Sequence, residues 1–103
     1  MSEILVRIKR AVLDGRYEFN EKASIELEAD GLTERDAIES ILNADSIYKT
    51  QRSTSPSRRH AADKLSVIQS VNMDGLPIYT KGKLTSEAGQ DTYYFLISSK
   101  RAT

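Results

Sequence analysis

Apolar and polar positions alternate most regularly near the end of the chain, where Leu76 to Lys100 reads LPIYTKGKLTSEAGQDTYYFLISSK. Pro77–Leu84 and Thr92–Lys100 are rich in β-branched and aromatic residues, and their period of two predicts a pair of half-buried strands. Ser86–Gln90 lies between them and carries Gly89, which suits a hairpin loop. In the first strand Ile78, Thr80, Gly82 and Leu84 share a face, opposite Tyr79, Lys81 and Lys83. In the second, Tyr93, Phe95 and Ile97 share a face, opposite Tyr94, Leu96, Ser98 and Lys100. A slip of one residue exchanges the faces of a strand, so the loop decides the grouping. A four-residue loop, Glu87–Gln90, pairs Ser86 with Asp91 and Tyr79 with Ser98. It gathers Tyr79, Lys81 and Lys100 on one surface and Ile78, Phe95 and Ile97 on the other. A three-residue loop breaks that grouping.

The period changes to helical in the first part of the chain. Ile4, Leu5, Ile8, Ala11 and Val12 mark a helix over residues 3–14 that Gly15 ends, with Arg7, Lys9 and Arg10 off its stripe in solvent. Tyr17–Phe19 is a short extended link. Asn20 caps a second helix through Ala29, ended by Gly31. Thr33 caps a third, with Glu34 and Asp36 at its positive end and Ala37, Ile38, Ile41 and Leu42 on its buried stripe. Ser46–Arg52 turns to strand. Ser53–Asp63, STSPSRRHAAD, has the composition of a loop, and Lys64–Met73 is again a strand. Asp74-Gly75 is the strongest hairpin signal, and a two-residue turn there sets Ser70 opposite Tyr79 and Ile68 opposite Lys81. Leu65, Val67 and Val71 then join Ile78, Phe95 and Ile97 against the helices. The expected fold is α+β: N-terminal helices on one face of an antiparallel sheet of about four strands, in a single domain over residues 1–103.

Composition narrows the function. No apolar run is long enough to span a membrane, and the opening MSEILVRIKR turns charged too soon for a signal peptide, so a cytoplasmic protein with no membrane partner is expected. With no cysteine, disulfides and thiolate metal sites are excluded, and no metal or cofactor is expected. The net charge of zero hides an asymmetry. Residues 1–45 hold six Lys/Arg against eleven Asp/Glu, and residues 46–103 hold nine against four, with four of the five tyrosines. A local field steers a polyanion regardless of the total.

One histidine, no Gly-rich phosphate loop after a strand and no G-x-S-x-G elbow leave most enzyme classes without support. The helix acids, among them Glu26, Glu28 and Glu39, are read as solvating groups rather than paired catalytic carboxylates. What remains is lysine, arginine and tyrosine on a sheet. Cations meet phosphates, and tyrosine rings stack on unpaired bases, so RNA is the partner this set suits. Arg58, Arg59 and His60 in the loop can grip phosphates or simply be solvated. Arg52, Lys83 and Arg101 are further cations for the RNA backbone. The same residues can cleave RNA without a metal. The ribose 2′-OH attacks its own 3′ phosphate, a base takes the 2′ proton, cations hold the phosphorane charge, and an acid protonates the leaving 5′ oxygen. Clustered lysines favour loss of a proton from one of them, which supplies a base. A non-catalytic module binding RNA or protein on the same scaffold is the alternative.

Several segments resemble the MqsR-like toxins of bacterial toxin–antitoxin pairs and related small domains of uncharacterised function. They are IKRAVLDGRYEF from Ile8, the helix pair, IYKT at Ile47–Thr50, IYTKGKL at Ile78–Leu84, and FLISSK ending at Lys100. The resemblance implies a RelE-like α/β fold, mRNA-interferase activity with or without the ribosome, and a protein antitoxin as partner. It implies Lys49, Tyr79 and Lys100 as the active-site group, with Lys81 beside them. The family's active-site glutamine has a shifted counterpart in Gln69, which the Asp74-Gly75 register turns toward the core. The neutral net charge and the SPSRRH loop depart from the family pattern.

Overall fold

The computed structural model describes residues 2–52 and 64–102. Their element order is α1 (Glu3–Leu13), β1 (Tyr17–Phe19), α2 (Glu21–Ala29), α3 (Glu34–Asn43), β2 (Lys49–Arg52), β3 (Lys64–Val71), β4 (Pro77–Glu87) and β5 (Gln90–Arg101). The fold is α+β, as the pattern predicts, with five strands rather than four. The extra strand is the Tyr17–Phe19 link, which pairs parallel to β5. The sheet order is β1-β5-β4-β3-β2, and every other neighbouring pair is antiparallel.

Each helix starts on a side chain able to accept a backbone proton. Ser2 accepts from the Leu5 amide, Asn20 from Ala23, and Thr33 forms a reciprocal box with Asp36. Leu5, Ile8, Ala11 and Val12 of α1, Ile41 of α3, and Ala44 close over Ile68, Tyr94 and Leu96 of the sheet. Of the off-stripe cations of α1, Arg10 is exposed as expected, but Arg7 and Lys9 are not left in solvent. Arg7 makes a two-pronged ion pair with Asp91, its Nε donating to Oδ2 at 2.8 Å, and Lys9 donates to the Ala44 carbonyl at 2.6 Å.

The register departs from expectation at both hairpins. The β3–β4 connection is five residues, Asn72–Leu76, because Val71 pairs with Pro77. Asn72 is buried and organises this loop: its Oδ1 accepts from the amides of Asp74 and Leu76, and its Nδ2 donates to Asp36. Gly75 alone there adopts positive φ, 81°, so Asp74-Gly75 does not form the type I′ turn such a pair favours, which needs two such residues. The longer loop moves β3 by one position. Ser66, Ile68 and Ser70 take the helix side, opposite Gly82, Thr80 and Ile78. Leu65, Val67 and Gln69 take the other face, contrary to the expectation for all three.

At the β4–β5 hairpin Ser86 does pair with Asp91, but Glu87 pairs with Gln90 as well. The turn is Ala88-Gly89, with φ of 53° and 80°. β5 then takes in two bulges, between Leu84/Ser86 and between Lys81/Gly82 on the β4 side. Each inserts one residue into β5 and reverses the parity of the strand beyond it. After the first, Tyr94 and Leu96 point into the helix core, and Phe95 lies on the open face opposite Lys83. The expectation that Phe95 and Ile97 pack under the helices is therefore wrong. After the second, Lys100 pairs with Tyr79.

Candidate functional site

The face of the sheet away from α1 and α3 carries the candidate residues in cross-strand rows. Residues directly opposite in a ladder share a face, with Cβ atoms about 4.5–5.5 Å apart. One row is Gln69–Tyr79–Lys100 on β3, β4 and β5. The next is Lys49–Val67–Lys81–Ser98 on β2 to β5. The third places Lys83 opposite Phe95. Lys49, Lys81, Lys83 and Lys100 charge this face, and the carboxylate of the same β4 parity is Glu87 at the hairpin tip.

Tyr79 and Lys100 make the most defined pair. The Lys100 ammonium lies 5.2 Å from the centre of the Tyr79 ring, within cation–π range. Gln69 flanks Tyr79 on its other side, and these three residues line a shallow cleft of about 270 Å³ with Arg101 and Ala102. Lys81 stands two residues along β4, about 7 Å from Tyr79 by the rise of a strand. Val67 is fully buried although it lies on this face, flanked by Lys49 and Lys81.

The remaining candidates are spread more widely. Lys49 is exposed and shares the face, two strands from Lys81 and three from Lys100. Arg52 pairs with Lys64 at the parity of Thr50 and Ser66, which is the helix side, so it does not join the lysines. Arg101 pairs with Ile78, also at helix-side parity, but borders the cleft at the strand end. Lys83 shares the open face. Arg58, Arg59 and His60, with the whole Ser53–Asp63 loop, lie outside the described residues. Among the described residues no three of His, Cys, Asp and Glu gather to hold a metal ion, and no helix is long and apolar enough to cross a membrane.

Sequence reasoning named Gln69 but turned it toward the core, and it put Phe95 under the helices. The signal for Gln69 was Asn72, a residue suited to organising a loop longer than two residues. Nothing in the alternation marks the two bulges that carry Phe95 to the open face and Lys100 back to it.

Searches against family models, curated proteins and solved structures find no match to this chain. The site therefore rests on its own geometry.

Proposed function

We propose that this chain is a toxin-like endoribonuclease of the mRNA-interferase kind, cleaving single-stranded RNA by attack of the ribose 2′-OH without a metal. The observation that supports it is the Gln69–Tyr79–Lys100 row on the exposed face, with the Lys100 ammonium against the Tyr79 ring. In this reading the 2′ oxygen attacks the adjacent phosphorus and gives up its proton to solvent water. The O2′–P bond forms and the P–O5′ bond breaks. The ammonium groups of Lys81 and Lys100 hold the negative charge of the phosphorane, and Lys49, two strands from Lys81, meets the RNA backbone further along. The Tyr79 phenol gives its proton to the departing 5′ oxygen, and Gln69 donates to a non-bridging oxygen. The products are a 2′,3′-cyclic phosphate and a 5′-hydroxyl. The resemblance to MqsR-like toxins adds a protein antitoxin as partner and the cytoplasm as the place of action.

The test is purified protein on single-stranded RNA, with chelator, in the presence and absence of ribosomes. Cleavage to cyclic-phosphate ends is expected, with a loss of roughly 10²- to 10⁴-fold in Tyr79→Phe, the range for a positioned acid. That variant keeps the ring under Lys100 and removes only the proton. Lys100→Ala is expected to lose activity as well. RNA left intact under all conditions sinks the proposal. Growth arrest on expression, relieved by a neighbouring gene's product, would support the antitoxin.

A second reading is a domain that binds RNA or protein on this face without cutting. The exposure of Gln69 and Lys100 and the shallowness of the cleft favour it, because neither excludes water from the reacting atoms. It predicts salt-sensitive binding and unchanged RNA.

A further inference from the structure

The open face continues past the lysines to an aromatic pair. Tyr93 and Phe95 project on the same side of β5, their ring centres 5.9 Å apart and their planes inclined by 31°. Tyr93 is 44% exposed, while Phe95 is half-buried behind it. The rings border a second cleft, of about 420 Å³, with Thr85, Ser86, Glu87 and Thr92. The bulge that places them is held by Thr85, whose Oγ1 accepts from the Tyr93 amide at 3.1 Å and donates to the Tyr93 carbonyl at 3.2 Å. The Tyr93 backbone is thus held by Thr85 before any ligand arrives.

Lys83 is the cross-strand partner of Phe95, and Lys81 is the next residue of that face toward Tyr79. Phe95 and Lys100 lie opposite Lys83 and Tyr79, four residues of β4 or about 13 Å apart, the span of a short stretch of single-stranded nucleic acid. Cations along the middle and a ring pair at the end match a sugar–phosphate chain that ends on an unpaired base. Aromatic rings bind bases of any identity, since each has a π-face.

We propose that Tyr93, backed by Phe95, is a stacking subsite for an unpaired nucleobase of an RNA strand whose phosphates run along Lys83 and Lys81 toward Lys100. This rests on the RNA reading of the face and adds to it where the substrate extends. It gives the Tyr79–Lys100 end of the face the reacting phosphate and the hairpin end a base.

The chain has no tryptophan, so Tyr93→Trp installs a single reporter. Full-length protein is titrated with a fluorescein-labelled single-stranded RNA, and with the same strand made abasic. The RNA should quench the indole, and the abasic strand should bind without quenching. Tyr93→Ala should weaken RNA binding by roughly 5- to 150-fold, the range for losing one stacked base, and leave abasic-strand binding unchanged. Tyr93→Phe should bind as the parent does, which separates the ring from the hydroxyl and from any folding defect. If the parent binds RNA but Tyr93→Ala binds it equally well, or the indole is not quenched, the subsite is wrong and the RNA reading survives. If the parent binds no RNA, both fall. Quenching by a protein partner but not by RNA also overturns the subsite.

Discussion

Gly82→Ala is the substitution that most directly tests how the site is built. Gly82 has no positive φ, so a side chain is not barred by its backbone. With space available, the change would stabilise by about 0.4–1 kcal/mol through the unfolded chain. There is no space. A Cβ at residue 82 would lie 2.6 Å from the Phe95 carbonyl oxygen, 2.7 Å from Tyr94 Cζ and 2.9 Å from the Tyr94 hydroxyl. The Tyr94 ring is fully buried and cannot swing out, and the carbonyl belongs to the bulged strand. Overpacking of this kind costs about 1–3 kcal/mol, which outweighs the entropic gain. At this chain length, 1 kcal/mol moves Tm by roughly 4–8 °C. Thermal melts by circular dichroism should show a drop of roughly 4–24 °C. The bulge beside Gly82 is also what sets Lys100 opposite Tyr79, so RNA cleavage or binding should fall more than the melt alone explains at a temperature where both proteins are folded. A Gly82→Ala protein as stable as the parent, or more so, would refute the packing of Tyr94 over Gly82.

Tyr94→Phe should raise stability by about 1–3 kcal/mol, because the Tyr94 hydroxyl is buried without a partner among the described residues, and urea melts check it. Burial also pushes that phenol's pKa up, so it does not ionise in the working range. Thr33→Ala should cost about 1 kcal/mol in the same melts through loss of the cap on α3. The Thr33 amide and the side chains of Asn72 and Thr33 hold the Asp36 carboxyl below its ordinary 3.8, and Arg7 does the same for Asp91. Both are depressed in the folded state, so the stability they supply is full above 3.8 and is lost as pH falls through the folded values. Asp36→Asn should flatten the acid limb of a stability–pH curve, and an unchanged limb would count against that cap. Glu26→Ala with Asp30→Ala should speed hydrogen exchange at the amides of Ser99 and Arg101, which these carboxylates accept.

The helices were legible in the sequence because each carries its own evidence: a capping side chain, an apolar stripe and, for α1 and α2, a following glycine. The strands were legible in existence but not in register. Ser86 opposite Asp91 followed from the composition of the loop, yet the rest of β5 depends on two inserted residues that alternation cannot signal. Tyr93-Tyr94-Phe95-Leu96 offers an aromatic or aliphatic side chain to either face, so burial alone did not choose between them. The choice comes from Gly82, the one β4 position on the helix side without a side chain, over which the Tyr94 ring fits. Tyr79, Lys81 and Lys100 were grouped correctly on a register that was wrong. Two bulges restore the parity that one misplaced face would have lost. Gln69 was lost to the core because the Asp-Gly pair was weighed above Asn72.

The grouping of Tyr79 with Lys100 depends on a strand end, and strand ends fray unless held. β5 is held along its outer edge by groups from four places in succession. The Arg16 guanidinium donates to the carbonyls of Asp91 and Thr92. β1 then pairs with residues Tyr94 to Leu96, and the Asn20 amide donates to the Leu96 carbonyl. Beyond the end of β1 the helix α2 takes over. Glu26 accepts from the Ser98 hydroxyl and the Ser99 amide, and Asp30 accepts from the Arg101 amide. Four residues of helix rise about 6 Å and two residues of strand about 6.7 Å, so carboxylates one turn apart meet alternate edge amides. Lys100 sits between the two held amides. The acids of α2 thus serve the open face from its edge: they fix the backbone from which the ammonium reaches the Tyr79 ring. The opposite edge has no such cover among the described residues, and it ends in β2, a four-residue strand carrying Lys49 and Arg52. Short length and cations discourage pairing with another sheet edge, so the protein protects its two edges by different means. The covered edge lies on the side of Lys100, where the proposed chemistry requires the more rigid backbone.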